Sequence, residues 1–282
     1  MPAPELRPYV TSYYLTEVAS DCAPFVEDYL HPEWGNVRFS NGGGAMEGAI
    51  GASPLMAIGG AVAAGPTSYA TRFRVAPGRY WGVGLLPLGW ARFVEARAWE
   101  RANRISPVAD DDAFAPFRPL IGGAFDGSPD RAGEARRIDA LMLALLERPA
   151  REEERIVALH AALVDPAVGT VAGLCERAGE PVRSLERIAR NVFGFPPKLL
   201  LRRQRFLRSL GQFMLDPSMA WLDTMDAHYY DQAQFIREFR GFMGMTPSAY
   251  GALPHPILSA AAHARNAAMG AATQLLHSPR NA

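Results

Sequence analysis

The first 110 residues alternate short apolar runs with turns. The runs are rich in β-branched and aromatic side chains and lie at residues 9–15, 37–39, 55–58, 69–75 and 80–86. The turns between them contain glycine or proline and lie at residues 41–44, 59–60, 65–66 and 77–78. Short strands at this spacing predict a small barrel or sandwich. Residues 89–98 have a helical pattern instead, so a helix is expected there.

A second helical pattern lies in the stretch that follows, which we expect to connect two domains. Ile138, Leu141, Met142 and Leu145 fall at i, i+3, i+4 and i+7, and they predict a helix over residues 134–148 that Pro149 ends. Leu143 and Leu146 widen its apolar face. This face either packs on the β-rich domain or forms a dimer seam, and the pattern leaves both interpretations open.

A helix, a tight turn and a second helix are predicted further along the chain. Residues 171–178 form the first helix, which Gly179 ends because glycine adopts positive φ without strain. Pro181 then starts the second helix with its φ already set. We expect this second helix to bury Leu185 and Ile188 and to present its charged side chains outward. The order is that of a helix-turn-helix.

An imperfect copy of this unit lies about fifty residues downstream. Leu185, Arg187, Ala189, Arg190, Gly194, Pro196 and Pro197 recur as Phe235, Arg237, Phe239, Arg240, Gly244, Thr246 and Pro247. Helices are therefore expected at residues 221–227, 231–240 and 246–250, and a long helix from Pro197 joins the two units. Two copies cannot form a solenoid, which needs three or more, so they suit a surface that is read twice.

Charge is balanced over the whole chain but not within the first unit and its following helix. The 282 residues include 29 basic and 29 acidic side chains. Between residues 183 and 208, Glu186 is the single acid against eight bases, which are Arg183, Arg187, Arg190, Lys198, Arg202, Arg203, Arg205 and Arg208. A local basic surface in a neutral protein indicates a polyanion partner or, in the simpler interpretation, a solvated helix face.

Cysteine and histidine usage argues against a metal-dependent enzyme. Cys22 and Cys175 lie far apart, which disfavours a disulfide scaffold and fits a reducing compartment. His31 is the single histidine of residues 1–150, whereas a catalytic metal site needs a cluster of ligands. We expect Cys175 to be buried and inert, with no metal and no cofactor. A leader pattern and any run of roughly 18 apolar residues are absent from the sequence, so a cytoplasmic protein is expected.

Residues 151–253 resemble the DNA-binding domain of AraC/XylS-type transcriptional regulators. The resemblance rests mainly on Tyr229-Tyr-Asp-Gln-Ala-Gln-Phe-Ile-Arg-Glu-Phe-Arg240 and Gly244-Met-Thr-Pro-Ser-Ala-Tyr250. The first unit adds Ala178-Gly179, Arg183 to Arg187, and Arg205-Phe206. The resemblance implies two helix-turn-helix units about a central helix, each with one recognition helix in the major groove. A weaker resemblance, on the turns at residues 65–66 and 87–89, likens the first 120 residues to the β-barrel sensor of such regulators.

The resemblance also implies roles for individual side chains. The base-reading positions are Arg183, Glu186, Arg187, Gln232, Ala233 and Arg237. These residue types suit base edges, since Arg pairs with guanine, Gln with adenine and Glu with cytosine, and a methyl group can touch thymine. Side chains expected to meet phosphates are Ser184, Arg190, Arg202, Arg203, Arg208, Arg240 and Thr246.

Several positions depart from the pattern of that family. Pro181 and Pro196 replace serine N-caps, and Ala189 replaces a large aromatic residue whose counterpart is Phe239. Asp223 stands where the first unit has a core leucine. His228 takes the place of the turn glycine, where positive φ would cost about 1 kcal/mol or more. We therefore expect a less stable second turn, a second recognition helix that is ordered on DNA, and most of the affinity in the first unit.

The sequence thus predicts an α+β protein with a β-rich barrel or sandwich followed by an all-α domain. The expected parts are a sensor at residues 1–112, a helical connector at 113–150, a DNA-binding domain at 151–253 and a tail at 254–282 that is a loose helix or disordered. Candidates for an effector pocket, by polarity and position, are Glu17, Glu33, Trp34, Arg38, Arg72, Arg74, Tyr80 and Trp81.

The predicted function is that of a transcription regulator that binds specific DNA sequences and is gated by a small effector in the N-terminal domain. Its expected partners are double-stranded DNA, an effector, a second copy of the chain and, for an activator, RNA polymerase. The alternatives are an interaction protein that has lost specific DNA binding and, less favoured, a barrel enzyme.

Overall fold

The computed structural model describes residues 2–19, 24–41, 45–147 and 151–277. Cys22, residues 42–44 of one predicted turn, Arg148 and Pro149 lie outside these ranges, as does the end of the tail. Within them, nine strands form two antiparallel sheets: β1 Val10–Val18, β2 Val26–Leu30, β3 Asn36–Ser40, β4 Met46–Ile50, β5 Met56–Ala57, β6 Ala61–Ala64, β7 Thr71–Val75, β8 Gly78–Leu85 and β9 Ile105–Pro107.

The strands are arranged as a five-stranded sheet in the order β1-β8-β3-β6-β9 and a four-stranded sheet in the order β2-β7-β4-β5. Within the described residues the two sheets do not close into one barrel, so the sandwich alternative is the correct one. β1 and β2 are therefore edge strands of different sheets. Four strands, β2, β4, β6 and β9, lie outside the predicted runs, and the run at residues 55–58 forms only the short β5.

The two faces of the five-stranded sheet have different neighbours. Val37, Phe39 and Val83 point to the outer face, where they pack in one core with Phe114 and Ile138. Tyr14 lies opposite Gly82, and Arg38 also pairs with Gly82, so these residues share the face toward the other sheet. A Cβ at residue 82 would lie 2.0 Å from the Tyr14 ring, so glycine is required there.

Ten α-helices complete the described chain. They are α1 Pro87–Phe93, α2 Ala98–Arg101, α3 Arg131–Ala144, α4 Glu153–Val164, α5 Val171–Ala178, α6 Val182–Phe193, α7 Pro197–Leu215, α8 Gln232–Met243, α9 Pro247–Gly251 and α10 Leu258–Met269. Short 3-10 helices lie at Pro4–Leu6, Asp112–Leu120, Gly123–Phe125, Leu145–Glu147 and Gln274–Leu276.

α3 corresponds to the amphipathic helix predicted for the connector. It starts at Arg131 because the Asp130 carboxylate accepts hydrogen bonds from the amides of its first turn. Ile138 and Met142 are fully buried in the core beneath the five-stranded sheet, whereas Leu143 is 37% exposed. The packing interpretation of this helix is confirmed for its inner face.

The helical domain and the β-rich domain share one buried cluster. Trp34 and Leu86 from the N-terminal half pack with Leu159, Phe193 and Phe206 from the helices. The Trp34 ring contacts Phe193 edge-on with 5.5 Å between ring centres. The sheets therefore hold the helical domain through apolar burial, and any movement of one on the other would expose this cluster.

The tail forms a helix within the described residues. α10 packs on α7 and β2 through Leu258 and Ala262, and Leu275 is fully buried beyond it. Of the two alternatives expected for the tail, a helix or disorder, the helix is the one formed as far as residue 277, because its alanine-rich surface contacts apolar partners in the rest of the chain.

Candidate nucleic-acid interface

The first unit consists of α5, a tight turn and α6. Thr170 caps α5, and its Oγ1 accepts a hydrogen bond of 3.0 Å from the Gly173 amide. Gly179 ends α5 with φ of 67°, as expected for a residue that must turn the chain in the left-handed region. α6 begins after Pro181 without a side-chain cap. The sequence prediction of this unit is confirmed.

α6 presents one charged face to solvent. Leu185, Ile188 and Ala189 are buried on the opposite face, so the helical phase is fixed by apolar contacts. The charged residues Arg183, Glu186, Arg187 and Arg190 are exposed, while Ser184 is half-buried. The three proposed base-reading side chains of this unit therefore lie together on an accessible helix surface.

An acidic residue next to α4 covers part of this surface. Glu152, immediately before α4, pairs with Arg187 at 2.6 Å from Oε1 to Nη2. Its backbone has φ of 57°, which is uncommon for a residue other than glycine. The Arg187 guanidinium lowers the pKa of this carboxyl. Arg187 is thus held by a carboxylate of the same chain.

A second acid fixes the other side of the same surface. Arg155 donates from Nε to Glu180 Oε1 at 2.5 Å and from Nη2 to the Ser184 hydroxyl. The Ser184 oxygen, a proposed phosphate contact, therefore already has a donor. This network connects α4, the turn after α5 and the first turn of α6.

The second unit contains a recognition helix of the same kind. Asp231 caps α8, and its Oδ1 accepts from the Gln234 amide at 2.6 Å. Phe235 and Phe239 are buried on the inner face, and Gln232, Ala233, Arg237 and Arg240 are exposed. Thr246 then caps α9 by accepting from the Ala249 amide at 3.1 Å. The helices expected at residues 231–240 and 246–250 are confirmed.

The helix expected at residues 221–227 is not formed. Turns occupy residues 221–224, and the segment between α7 and α8 contains no α-helix among these described residues. Asp226 draws the chain inward, because its carboxylate binds Arg208 and also accepts from the His228 amide at 2.9 Å. The Asp226 amide in turn donates to Ser209 Oγ at 2.9 Å. These side-chain contacts replace the helical hydrogen bonds.

The strain expected at His228 is also absent. His228 does not adopt positive φ, since Asn103 and Glu152 are the two residues other than glycine that do so in the described chain. The Asp226 carboxylate closes the turn through the His228 amide, so a left-handed residue is not needed.

Arg203 corrects one predicted phosphate contact. Its side chain is fully buried on the inner face of α7, between the rings of Trp34 at 4.3 Å and Phe195 at 5.1 Å. Nη1 donates to the Thr67 carbonyl oxygen at 2.6 Å, and burial lowers the pKa of Arg203 to about 9. This arginine joins the helical domain to the β-rich domain and cannot reach DNA in this conformation.

The remaining basic residues of α7 line a cleft of about 660 Å³ between the two units. Glu238 of α8 accepts from Arg202 Nε at 2.8 Å and from Arg205 Nη2 at 2.6 Å. Further basic side chains in the cleft wall are Lys198, Arg208 and Arg237. Basic groups thus outnumber acids among the described residues of this wall, and an anion can enter between the units.

Sequence reasoning missed the acids that pair with this basic surface. Glu152, Glu180, Asp226 and Glu238 each hold an arginine, and, apart from the Glu152–Arg155 pair, the two partners are at least 18 positions apart in the sequence. Arg205 was counted as basic but was not proposed as a phosphate contact. The pairing of Glu152 with Arg155 at i, i+3 was the one local signal available.

Within the described residues, the groups considered for catalysis are not brought together. In the described ranges, no set of three or more histidine, cysteine or acidic side chains is placed to hold a metal ion. His31 is buried, and its Nε2 lies 2.7 Å from the Tyr250 hydroxyl, while burial lowers the pKa of His31 to about 3. Cys175 is half-buried, less than expected, with a free thiol. Between residues 2 and 277, leaving aside the undescribed segments, no helix has the length and apolarity of a membrane span.

Comparison with known proteins supports a helix-turn-helix assignment. Residues 174–252 match the family described as a helix-turn-helix domain. No curated protein matches the chain. Among solved structures, ToxT from Vibrio cholerae has a TM-score of 0.46 at 9% identity in one crystal form, and an apo form of a ToxT variant has 0.44 at 12%. Both cover 85% of this chain and 97% of theirs. A ToxT structure described as bound to an unsaturated fatty acid has a TM-score of 0.39 at 10% identity, covering 86% of this chain and 95% of its own.

Proposed function

We propose that this chain, in which residues 174–252 are an AraC-type helix-turn-helix domain, is a transcription regulator that reads two adjacent major-groove segments. The observation that supports it most is the pair of recognition helices, α6 and α8, on one shared helix, α7. Each presents a polar or charged N-terminal half, the part that enters a major groove.

The proposed base-reading side chains are Arg183, Glu186 and Arg187 on α6 and Gln232, Ala233 and Arg237 on α8. All six are exposed. Arginine can bind guanine O6 and N7 with two parallel hydrogen bonds, and each such pair discriminates against a wrong base by about 1–3 kcal/mol. Glu152 has to release Arg187 before that arginine can reach a base.

The proposed phosphate contacts are Arg190 and Arg240, which are exposed, and Arg202 and Arg208 in the cleft between the units. The hydroxyl oxygens of Ser184 and Thr246 already accept hydrogen bonds inside the domain, so we expect them to contribute less to phosphate binding. Phosphate contacts orient the protein without specifying sequence. They release counterions, so binding should weaken steeply with salt.

The β-rich domain, residues 1–112, is proposed to bind a small effector and to transmit its presence to the helices. The support is direct contact. Thr67 accepts from Arg203 of α7, and the Ala70 amide donates to the Phe242 carbonyl of α8 at 2.7 Å. One loop of the sensor thus touches both the shared helix and the second unit, so movement of that loop would alter their alignment.

Three further features complete the proposal. A cytoplasmic location and, for an activator, contact with RNA polymerase follow from the function. A homodimer would form through the exposed side of α3, where Leu143 offers apolar surface. Sedimentation of wild type and Leu143→Glu tests this, because a dimer held there should dissociate in the variant.

Selection from a pool of random duplexes tests the proposed function directly. We expect enriched sequences with two conserved segments about 10 base pairs apart, since both recognition helices approach one side of the duplex. The binding constant of the selected duplex should fall with a slope in log salt that reflects several phosphate contacts. A pool that stays unenriched at low salt would contradict the proposal.

A further inference from the structure

The C-terminal segment closes the gap between the two sheets. We call residues 255–277, which contain α10 and the 3-10 helix Gln274–Leu276, the strap. α10 packs beside β2, the edge strand of one sheet. Gln274 donates to Thr11 Oγ1 on β1, the edge strand of the other sheet, at 3.3 Å. The strap therefore bridges the two edges and covers the space between them.

Asp28 anchors the near end of the strap. Its carboxylate is 1% exposed and accepts from the Ile257 and Leu258 amides at 2.9 and 2.8 Å. The His255 Nδ1 lies 3.2 Å from the other carboxylate oxygen. A buried carboxylate at the N-terminus of a helix compensates its free amides. The strap thus supplies three polar partners of this acid, and the Tyr29 amide of β2 donates to it at 2.7 Å.

The strap also enters the space between the sheets. Val26 and Asp28 are two positions apart on β2, so their side chains lie on the same face of the sheet. Val26 packs there with the inter-sheet core of Met46, Val62, Val75 and Tyr80. Ile257 of the strap packs on that same core. The carboxylate of Asp28 and the first turn of α10 therefore lie at the mouth of the inter-sheet space.

Arg265, in the middle of the strap, faces a second buried polar group. This group contains Arg38, whose Nη2 donates to Glu33 Oε1 at 2.7 Å, and the Tyr14 ring beside it. Arg265 lies within electrostatic range of all three side chains and of His31. Burial lowers the pKa of Arg265, so its charge is partly desolvated where it meets them.

The net charge of these buried groups becomes more negative when the strap leaves. With the strap in place, Glu33 pairs with Arg38 and lies within electrostatic range of Arg265, while Asp28 is compensated by the Ile257 and Leu258 amides and the His255 ring. His31 is neutral at pH 7, since its pKa is about 3. Without the strap, Arg265 and His255 are removed, and the described inter-sheet groups retain one excess negative charge at Asp28. An uncompensated buried carboxylate is costly, so whatever replaces the strap has to supply donors and a positive charge.

We propose that the mouth of the inter-sheet space is a site for a small organic monocation, an ammonium or amidinium on an apolar body, which displaces the strap and takes its place at Asp28. The apolar body would lie against the Met46, Val75 and Tyr80 core that Ile257 now covers. This inference rests on the proposed function, because it names the class of effector and its mode of entry.

Displacement of the strap would reach the second DNA-reading unit. His255 stacks on Tyr250 of α9 with 4.2 Å between ring centres, and the Tyr250 hydroxyl meets His31. Tyr250 is fully buried under α8, where it contacts Phe239. Lifting the strap removes one side of this packing. The ligand therefore loosens the second unit directly, and it reaches the first unit only through α7, on which α10 also packs.

Hydrogen exchange of the full-length protein, without DNA, tests the site. The probes are benzamidine, phenethylamine and cyclohexylamine, with benzamide and benzoate as neutral and anionic controls. At about ten times its dissociation constant for the form with the strap displaced, a ligand raises the ratio of displaced to closed strap about tenfold. The exchange rate of the α10 amides should rise by the same factor. The same exchange should be unchanged with benzamide and benzoate.

Two matched variants of β2 complete the experiment. In Asp28→Asn the exchange of α10 rises without ligand and the response to amines is lost. Glu27→Gln changes the neighbouring side chain, which pairs with Arg72 and Arg74 away from the strap, and should respond as wild type. The proposal is overturned if none of the three amines acts, if benzoate acts equally, or if Asp28→Asn responds normally.

A DNA footprint separates this inference from the proposed function. An active amine should reduce the protection of the second DNA segment, and the first segment should stay protected. If the chain binds no DNA, the proposed function fails while the exchange result still decides the ligand site. If the amine opens the strap and both segments stay protected, the coupling to the second unit is wrong.

Discussion

The two units of the helical domain share a sequence pattern but are built differently. In the first unit, α5, Gly179 and α6 form a regular helix, turn and helix. In the second, the segment before α8 has no α-helix between residues 216 and 231, and Asp226 holds its turn through Arg208 and His228. The first unit is thus stabilised by backbone geometry, and the second depends on a few side chains and on its aromatic core.

Their cores differ in the same direction. Phe239 in the second unit is fully buried among Phe206, Trp221 and Tyr250, whereas Ala189 holds the equivalent place in the first. Large rings compensate for the missing helix by burying more apolar surface. The same motif is thus stabilised by two different sets of interactions, which should fail under different perturbations.

The largest effect is expected from the exchange of core residues between the units. Phe239→Ala should lower the free energy of unfolding by about 3–5 kcal/mol, because it leaves a cavity in a packed aromatic cluster. Ala189→Phe should cost about 1–3 kcal/mol through overpacking. Urea unfolding measures both. Equal costs at the two positions would show that the cores do not differ as described.

The next effect concerns the Asp226 turn. Asp226→Ala leaves the mostly buried Arg208 without its carboxylate and should cost about 3 kcal/mol. Asp223→Ala, in the same segment but exposed, is the control and should change stability by less than about 0.5 kcal/mol. Urea unfolding and hydrogen exchange of residues 216–231 would show whether the loss is confined to the second unit.

The same turn predicts a dependence on pH. Burial raises the pKa of Asp226, but the hydrogen bonds and charge of Arg208 and the His228 amide lower it below 3.8 on balance. A lowered folded-state pKa means that the stabilisation is complete above the unfolded value of 3.8 and is lost as the pH falls through the folded value. The wild type should therefore lose more stability than Asp226→Ala on acidification to that range. The free energy of unfolding of each protein is measured by urea unfolding at several pH values. An equal loss in the wild type and in Asp226→Ala would contradict this.

Smaller and more equal effects are expected at the helix caps. Thr170→Ala in the first unit and Asp231→Ala in the second each remove an oxygen that accepts from a helix amide. Each should cost about 1 kcal/mol. Hydrogen exchange of the first turns of α5 and α8 checks both, and Ser replacement at either position should restore most of the protection.

The smallest effect concerns the acid that covers α6. Glu152→Gln removes the partner of Arg187, and exposed ion pairs contribute about 0.2–1 kcal/mol. DNA affinity should rise by up to about fivefold as Arg187 becomes free, with little change in stability. Glu153→Gln, whose carboxylate instead meets Arg92, is the control. Equal affinities of wild type and Glu152→Gln would remove the proposed competition.

The regular parts of this structure were predictable, and the reasons are local. The apolar spacing of α6, α8 and α9 and the proline or capping residue at which each begins lie within a few residues of the helix, so sequence reasoning located them. The same apolar spacing also predicted that Arg183, Arg187 and Arg237 point to solvent, and all three are exposed. The roles of these residues on DNA remain predictions.

The parts that were missed depend on distant residues. The burial of Arg203 depends on Trp34 and Thr67, more than a hundred positions away, and its charge alone suggested a phosphate contact. The order of the tail depends on Asp28 and Thr11. The lost helix at residues 221–227 depends on Arg208, which competes for Asp226 from α7. Local patterns contain none of these pairings.

The central claim is that α6 and α8 each read one of two adjacent major-groove segments. Footprinting of Arg187→Ala and Arg237→Ala on a selected duplex tests it most directly. Each variant should lose protection and base discrimination over its own segment, by about 1–3 kcal/mol, and keep the other. If both variants protect both segments as the wild type does, the chain does not read DNA with these two helices.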